Sequence, residues 1–250
     1  MDLFIEIVGL IVIGFIAGSI NTIAGGGSLL TLPILIFLGL PSNIANGTNR
    51  IAILFQNIFT TAGFKSKGVT TFPFSIYVGI SALVGSLIGA QIAVDIKSET
   101  FNRILAIIMV VIVFYMVFKS KNNLTTALEK TSGKQLWISI LLFFFVGIYG
   151  GFIQAGVGFI ILLILSSIND LSLVKSNAVK VMVVLIYTVS SVAIFAYNDV
   201  INWRIGLTLA IGNAAGGWFA SRWSVNKGDG LIRKLLIVMV IIMAIKLWFF

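Results

Sequence analysis

Three consecutive glycines, Gly25 to Gly27, stand before Ser28 and an apolar run. Glycines expose backbone N–H groups with no side chain in the way, and serine is a favoured helix N-cap. The pattern therefore predicts a helix N-terminus open to an anion, with Ser28 as its cap. A second break, Gln154-Ala155-Gly156-Val157-Gly158, has fewer glycines and no serine, so the site is expected to be asymmetric, with Gly156 and Gly158 as its backbone donors. Asn21 and Gln154 occupy equivalent places just before the two breaks. Each amide could donate to a ligand oxygen or hydrogen-bond across helices. Further on, Asn43 to Arg50 and Lys175 to Lys180 each place a cation at the head of an apolar helix, with Asn49 and Asn177 beside them. A buried cation needs a partner, and no acid lies in either helix. Arg50 and Lys180 are thus candidates for an anionic ligand, the alternative being that both snorkel to lipid headgroups.

The missing residue types narrow the chemistry further. The 250 residues include no Cys and no His, which removes thiol chemistry and the commonest transition-metal ligands; no metal, cofactor or catalytic residue is assigned. Apart from Glu6, the acids fall in or beside loops, at Asp2, Asp95, Glu99, Glu129, Asp170, Asp199 and Asp229. A proton relay through buried carboxylates or histidines has no material, while Na⁺ held by backbone carbonyls at the breaks stays open. No P-loop, paired carboxylates or Ser/His arrangement supports an enzyme. The net charge of +9 sits in short loops and is read as a membrane feature rather than a nucleic-acid footprint.

The elements that must carry these residues are set by solvent. Hydrophobic residues make up 59% of the chain and charged residues 10%, with a mean hydropathy of +1.11, against about a quarter charged in a soluble domain. Apolar runs long enough to cross a bilayer cover Leu3 to Ile23, Ile44 to Phe64, Phe72 to Val94 and Phe101 to Phe118, and the second half repeats the series. The N-terminus has no basic n-region, so the first segment is expected to stay as a span. The fold class is all-α integral membrane protein, with about eight to ten transmembrane or half-membrane helices.

One unit is used twice. Gly14, Gly18, Leu29, Leu30 and Ala45 recur as Gly147, Gly151, Leu162, Leu163 and Ala178, and Gly85 and Gly89 as Gly212 and Gly216. Arg103, Leu105, Met109 and Val110 match Arg233, Leu235, Met239 and Val240. The chain is read as one transmembrane domain, 1–250, with repeat 1 at about 1–120, a polar linker at 121–133 and repeat 2 at about 134–250. Small-residue pairs such as Gly14/Gly18, Gly85/Gly89 and Gly212/Gly216 predict close helix packing. The shorter runs Ser28 to Leu40 and Phe159 to Ile168 reach only about 15 to 20 Å and predict half-helices or strongly tilted ones.

Five segments per unit is an odd number, so the second copy must insert upside down. With the N-terminus outside, the inner loops hold Lys65, Lys67, Lys119, Lys121, Lys130, Lys134, Lys175, Lys180, Arg222, Lys227, Arg233 and Lys234. Arg50, Lys97, Arg103, Arg204 and Lys246 remain outside, an asymmetry that obeys the positive-inside rule. Re-entrant hairpins in two parallel repeats are the alternative.

Gly14 to Gly18, Asn21 to Pro33 and Ala45 to Arg50 resemble the sulfite exporter TauE/SafE family, also called the toluenesulfonate uptake permease family, and the resemblance spans nearly the whole chain. Gly150 to Gly158 matches the family's second glycine-rich break, whereas Ser166-Ser167 and Val181-Met182 depart from its pattern. The resemblance implies a multi-pass permease of a prokaryotic inner membrane, moving sulfite, sulfoacetate or other small sulfur-containing anions. Its expected partners are the small anion and membrane lipid, with a homodimer left open and no nucleic acid. Export by alternating access is favoured because an inside-negative potential already drives anions outward. Import coupled to Na⁺ or H⁺ is the alternative, and a membrane assembly factor or membrane enzyme is a more distant one. As a test of topology, a cysteine placed between Lys119 and Lys134 should resist an impermeant thiol reagent added outside intact cells; labelling there would refute the inverted scheme.

Overall fold

The computed structural model describes residues 3–118 and 129–249, without the side chains of residues 3, 109, 112–118 and 227–249. Residues 121–128 of the predicted linker lie outside the described residues, as do residues 119 and 120 and the side chains of the matched Met109, Arg233, Leu235, Met239 and Val240. The described residues are all helical, in nine helices: α1 (Leu3–Ala24), α2 (Ser28–Phe37), α3 (Ser42–Lys65), α4 (Phe74–Val94), α5 (Ser98–Phe118), α6 (Gly133–Phe152), α7 (Val157–Ser167), α8 (Leu173–Tyr197) and α9 (Trp203–Phe249).

Solvent accounts for these elements. Helices satisfy their own backbone within hydrocarbon, and α1, α4, α6 and α8 are each long and apolar enough to cross a membrane. The predicted short runs appear as α2 and α7, of 10 and 11 residues. One expectation fails. The ten-segment scheme puts two passes after Trp203, whereas α9 runs unbroken for 47 residues, roughly 70 Å at the helical rise. Lys227-Gly228-Asp229-Gly230 separates its two apolar stretches but contains no proline to break the hydrogen-bond ladder.

The helices group across the repeats rather than within them. α1 packs most extensively on α9, and α4 on α6; α9 also lies along α3, and α4 along α8. The duplicated glycines make these contacts. A Cβ on Gly14 or Gly18 of α1 would strike the backbone of α9 at Leu209 or Asn213, and one on Gly212 or Gly216 would strike that of α1 at Ile11 or Phe15. The other half repeats the geometry: Gly147 and Gly151 of α6 lie against Ala82 and Ser86 of α4, and Gly85 and Gly89 against Phe144 and Ile148 of α6. This is small-residue helix packing, as the sequence predicts, and the exchange of equivalent partners fits two inverted copies.

The loops sort onto two faces in agreement with the charge pattern. Phe64 at the end of α3 clusters with Ala178 and Val181 near the start of α8, while Lys130 pairs with Asp170 at 2.8 Å. The segments bearing Lys65, Lys130 and Lys175 therefore share one face. At the other, the hydroxyl of Ser42 donates to Asn102 at 2.7 Å, and Asn202 N donates to Thr48 Oγ1 at 2.9 Å, gathering the segments near Lys97, Arg103 and Arg204.

The glycine seams give a direct test. Gly85→Ala puts a methyl group onto the Phe144 carbonyl, whereas Gly9→Ala meets nothing within 4 Å. Overpacking of this kind costs about 1–3 kcal/mol. Gly85→Ala should lower the thermal aggregation temperature of detergent-solubilised protein, and Gly9→Ala should leave it unchanged.

Candidate functional site

Both breaks end a helix inside the fold, and the two meet. Gly25, φ +85°, turns the chain out of α1, and Gly156, φ +69°, does the same before α7. A Cβ on Gly25 would lie 2.5 Å from Gly158 Cα, so the two breaks cross backbone to backbone at a point where only glycine fits. Gln154 also adopts a left-handed backbone, φ +63°, which costs a non-glycine residue about 1–2 kcal/mol. Strain of this kind persists where the surroundings hold it, and it clusters at functional sites. Gly27 folds against Asn21 and the Ala17 carbonyl, starting α2 close beside α1, while Gly26 faces the Phe159 ring.

The expectation that Ser28 caps α2 is not met. Gly27 is the N-cap, in αR geometry, and no side chain caps this helix. Ser28 lies inside the first turn, where its hydroxyl is free to face a cavity.

That cavity lies at the crossing, lined by Asn21, Ser28, Asn57, Gln154, Val157, Gly158, Lys180 and Val184. It has room for about one water-sized occupant. Five of the residues singled out in the sequence thus meet at one place: Asn21, Ser28, Gln154, Gly158 and Lys180. The N-termini of both half-helices, α2 at Ser28 and α7 at Val157, open onto it and present their positive ends. No Asp or Glu lines it.

The two cations are buried, at 0% exposure for Arg50 and 2% for Lys180, so neither snorkels. Each caps the C-terminus of a helix from the other repeat. Arg50 donates through Nη1 to the Gly150 carbonyl at 3.0 Å and through Nη2 to those of Gly151 and Phe152, covering the end of α6. Lys180 Nζ donates to the carbonyls of Asn21, at 2.8 Å, and Thr22, at 3.0 Å, covering the end of α1. An asparagine completes each cap. Asn46 Nδ2 donates to the Phe152 carbonyl at 2.7 Å and Asn177 Nδ2 to that of Ile23 at 3.1 Å, while their amide oxygens accept from Arg50 and Lys180. The guanidinium of Arg50 also stacks on Phe195, 4.6 Å from the ring centroid. Among the described residues neither cation has a carboxylate partner.

Of the two readings the sequence left open for the amides before the breaks, the hydrogen bond across helices is present for both, and both also line the cavity. Asn21 Nδ2 donates to Gln56 Oε1 at 3.1 Å, joining α1 to α3, and Asn21 also lines the cavity. Gln154 accepts from Arg50 Nη1 at 3.3 Å, donates to Thr188 at 3.4 Å, and lines the cavity as well. Asn49 lies apart from it: its Oδ1 accepts from Thr31 at 2.7 Å and ties α2 to α3.

Reading the sequence at the breaks and helix heads missed Asn46, Gln56, Asn57 and Thr188. Gln56 is 1% exposed, and its Nε2 has no partner among the described residues. For the three on α3 the signal is a polar stripe within an otherwise apolar span: Asn46, Asn49, Arg50, Gln56, Asn57 and Thr60 fall on one face of the helix, interrupted at Ile53. No cluster of His, Cys, Asp or Glu suited to a metal occurs among the described residues.

Comparison with known proteins agrees with this architecture. The family described as "Sulfite exporter TauE/SafE" matches residues 10–247. A "Probable membrane transporter protein" of Haemophilus influenzae is 27% identical over 248 residues, 99% of this chain and 96% of its own. A Sinorhizobium protein, "Probable membrane transporter protein ORF9", is 26% identical over 95% of this chain and 90% of its own. The Bacillus subtilis "Probable membrane transporter protein YunE" is 22% identical over 85% of each. No solved structure matches. The relatives are bacterial and are described as membrane transporters, not enzymes, and a bundle of apolar helices is the architecture of a multi-pass inner-membrane protein. The chain belongs to the sulfite exporter TauE/SafE family of membrane transporters.

Proposed function

We propose that the chain is a permease for small sulfur-containing oxyanions such as sulfite, sulfoacetate and other organosulfonates, working by alternating access with export favoured. The observation that carries this reading is the electrostatics of the cavity. Two helix N-termini and two helix C-termini end around it, each worth about half a unit charge, so the dipoles cancel to first order. The charge of Lys180 in the lining, and that of Arg50 behind Gln154, then remain, with no acidic residue in the lining to balance them. Desolvating two uncompensated cations costs several kcal/mol each, and an anion at the crossing would recover part of that. Amide, hydroxyl and backbone donors from Asn21, Gln154, Ser28 and Gly158 suit the several oxygens of an oxyanion head, which the crossing must widen to admit, since as it stands it has room for about one water-sized occupant. The family description names sulfite export, which supports the sulfur-oxyanion class and the direction.

The lining gives a mutational test. Hydrogen bonds to a charged group contribute about 1.5–3 kcal/mol, so Lys180→Gln should raise the KM for labelled sulfite in proteoliposomes roughly ten- to a hundred-fold. Lys180→Arg should retain more of the transport, and Asn21→Ala should raise KM by a smaller factor. Unchanged flux in Lys180→Gln and Asn21→Ala would place the anion elsewhere.

The energetics give a second. An inside-negative potential drives an anion outward by about 2.3 kcal/mol per charge per 100 mV, roughly fifty-fold in concentration. With pH and Na⁺ equal on both sides, flux should follow a potential set by K⁺ and valinomycin. Flux that ignores the potential and follows a proton or Na⁺ gradient would overturn potential-driven export.

A further inference from the structure

The tightest helix contacts join helices of different repeats, and they divide eight of the nine described helices into two bundles, with α5 lying against α9 and α3. In one, α1 and α9 interlock through Gly14, Gly18, Gly212 and Gly216, and α3 lies along α9 through Gly63 and Gly217. A Cβ on Gly217 would strike Thr60, and one on Gly63 would strike Ser221. In the other, α4 and α6 interlock through Gly85, Gly89, Gly147 and Gly151. Hydroxyl bonds reinforce that second bundle: Ser86 and Ser190 join α4 to α8 at 2.6 Å, and Ser81 donates to the Ile140 carbonyl of α6 at 2.6 Å. Half-helix α2 contacts α1 and α3, and α7 contacts α6 and α8. Each bundle thus takes one of its three long helices from the opposite repeat.

Apart from the single point where the backbones of Gly25 and Gly158 cross, what joins the bundles is different in kind. α3 meets α8, and the reciprocal caps cross the gap: Asn46 and Arg50 of the first bundle hold the end of α6, while Asn177 and Lys180 of the second hold the end of α1. The interlocked seams cannot slide without driving backbone into backbone, since interdigitated glycine contacts leave no free volume. The caps are side-chain hydrogen bonds at the rim of a cavity, which can be exchanged for other oxygen partners. We propose that transport moves α1, α2, α3 and α9 as one body against α4, α6, α7 and α8 as the other, with the Asn46–Arg50 and Asn177–Lys180 pairs as the joints between them. The bodies are then neither of the two sequence repeats, because α4 travels with α6 and α9 with α1. The proposal rests on the chain being an anion carrier but not on which anion it carries.

Cysteine crosslinks test it, since the chain contains no native cysteine. Ser81→Cys with Ile140→Cys ties α4 to α6, and Leu10→Cys with Leu209→Cys ties α1 to α9 within one apolar cluster. Both pairs link the sequence repeats yet lie inside single bodies. Phe64→Cys with Ala178→Cys ties α3 to α8 across the two bodies. Sulfite flux in proteoliposomes is measured for each protein reduced and oxidised, with crosslinking checked on gels after proteolysis. The first two pairs should keep at least half of their reduced-state flux when crosslinked, and the third should lose at least nine-tenths. Loss of flux on crosslinking either of the first two pairs, or full flux through the third, would overturn the proposal while leaving the carrier reading intact. No flux of any tested anion through the cysteine-free parent would overturn both.

Discussion

A helix that stops inside a bilayer leaves carbonyl groups with neither a backbone partner nor water, at a cost of several kcal/mol for each that stays bare. This chain stops two helices there, α1 at Ala24 and α6 at Phe152. It covers each end with a buried cation and an asparagine from the opposite repeat. The arrangement satisfies two needs at once: the carbonyls gain charged donors, and the cations gain the negative end of a dipole. Neither half of the chain could do this alone. The residues that end a helix in one repeat depend on those that cap it from the other.

Because the caps are reciprocal, the breaks must face each other, and the backbones of Gly25 and Gly158 cross in contact. The crossing brings the N-termini of α2 and α7 to one cavity beside Lys180. The positive character of the site therefore follows from the solution to the backbone problem. A cation strong enough to cap a buried helix end is only partly neutralised by the half charge it meets there. No carboxylate lines the cavity to compensate the excess.

Apart from the Gly25–Gly158 crossing, the same duplication places the close backbone packing away from this centre. Glycines spaced four apart on α1, α4, α6 and α9 let backbones touch along two seams, while the middle of the fold is filled by amides and hydroxyls such as Gln56, Asn57 and Thr188. Close-packed seams resist shear, and polar side chains that can trade one oxygen partner for another do not. Mechanical contrast of this sort is what a carrier built from repeats needs: stiff bodies, and an exchangeable contact where the ligand sits.

Much of this was legible in the sequence because the bilayer imposes it locally. Apolar length, the two glycine breaks, the half-helices and the glycine spacing all follow from hydropathy, backbone freedom and the need for internal hydrogen bonds, which act within a few residues. Those same signals pointed to Asn21, Gln154, Gly158 and Lys180, and family membership followed from the motifs around them. What only the tertiary structure decided is pairing. No local rule says that Arg50 should reach the end of α6, that Lys180 should reach the end of α1, or that α4 and α9 should exchange places. Ser28 shows the limit well. Its type and position read as a cap, yet the chain enters α2 through Gly27, because Gly27 must fold against Asn21 and the Ala17 carbonyl. Asn57 and Gln56 were overlooked for a related reason: a polar residue in the middle of a span has meaning only once its helix has been turned to face a particular neighbour, and that rotation is fixed by packing across the whole molecule.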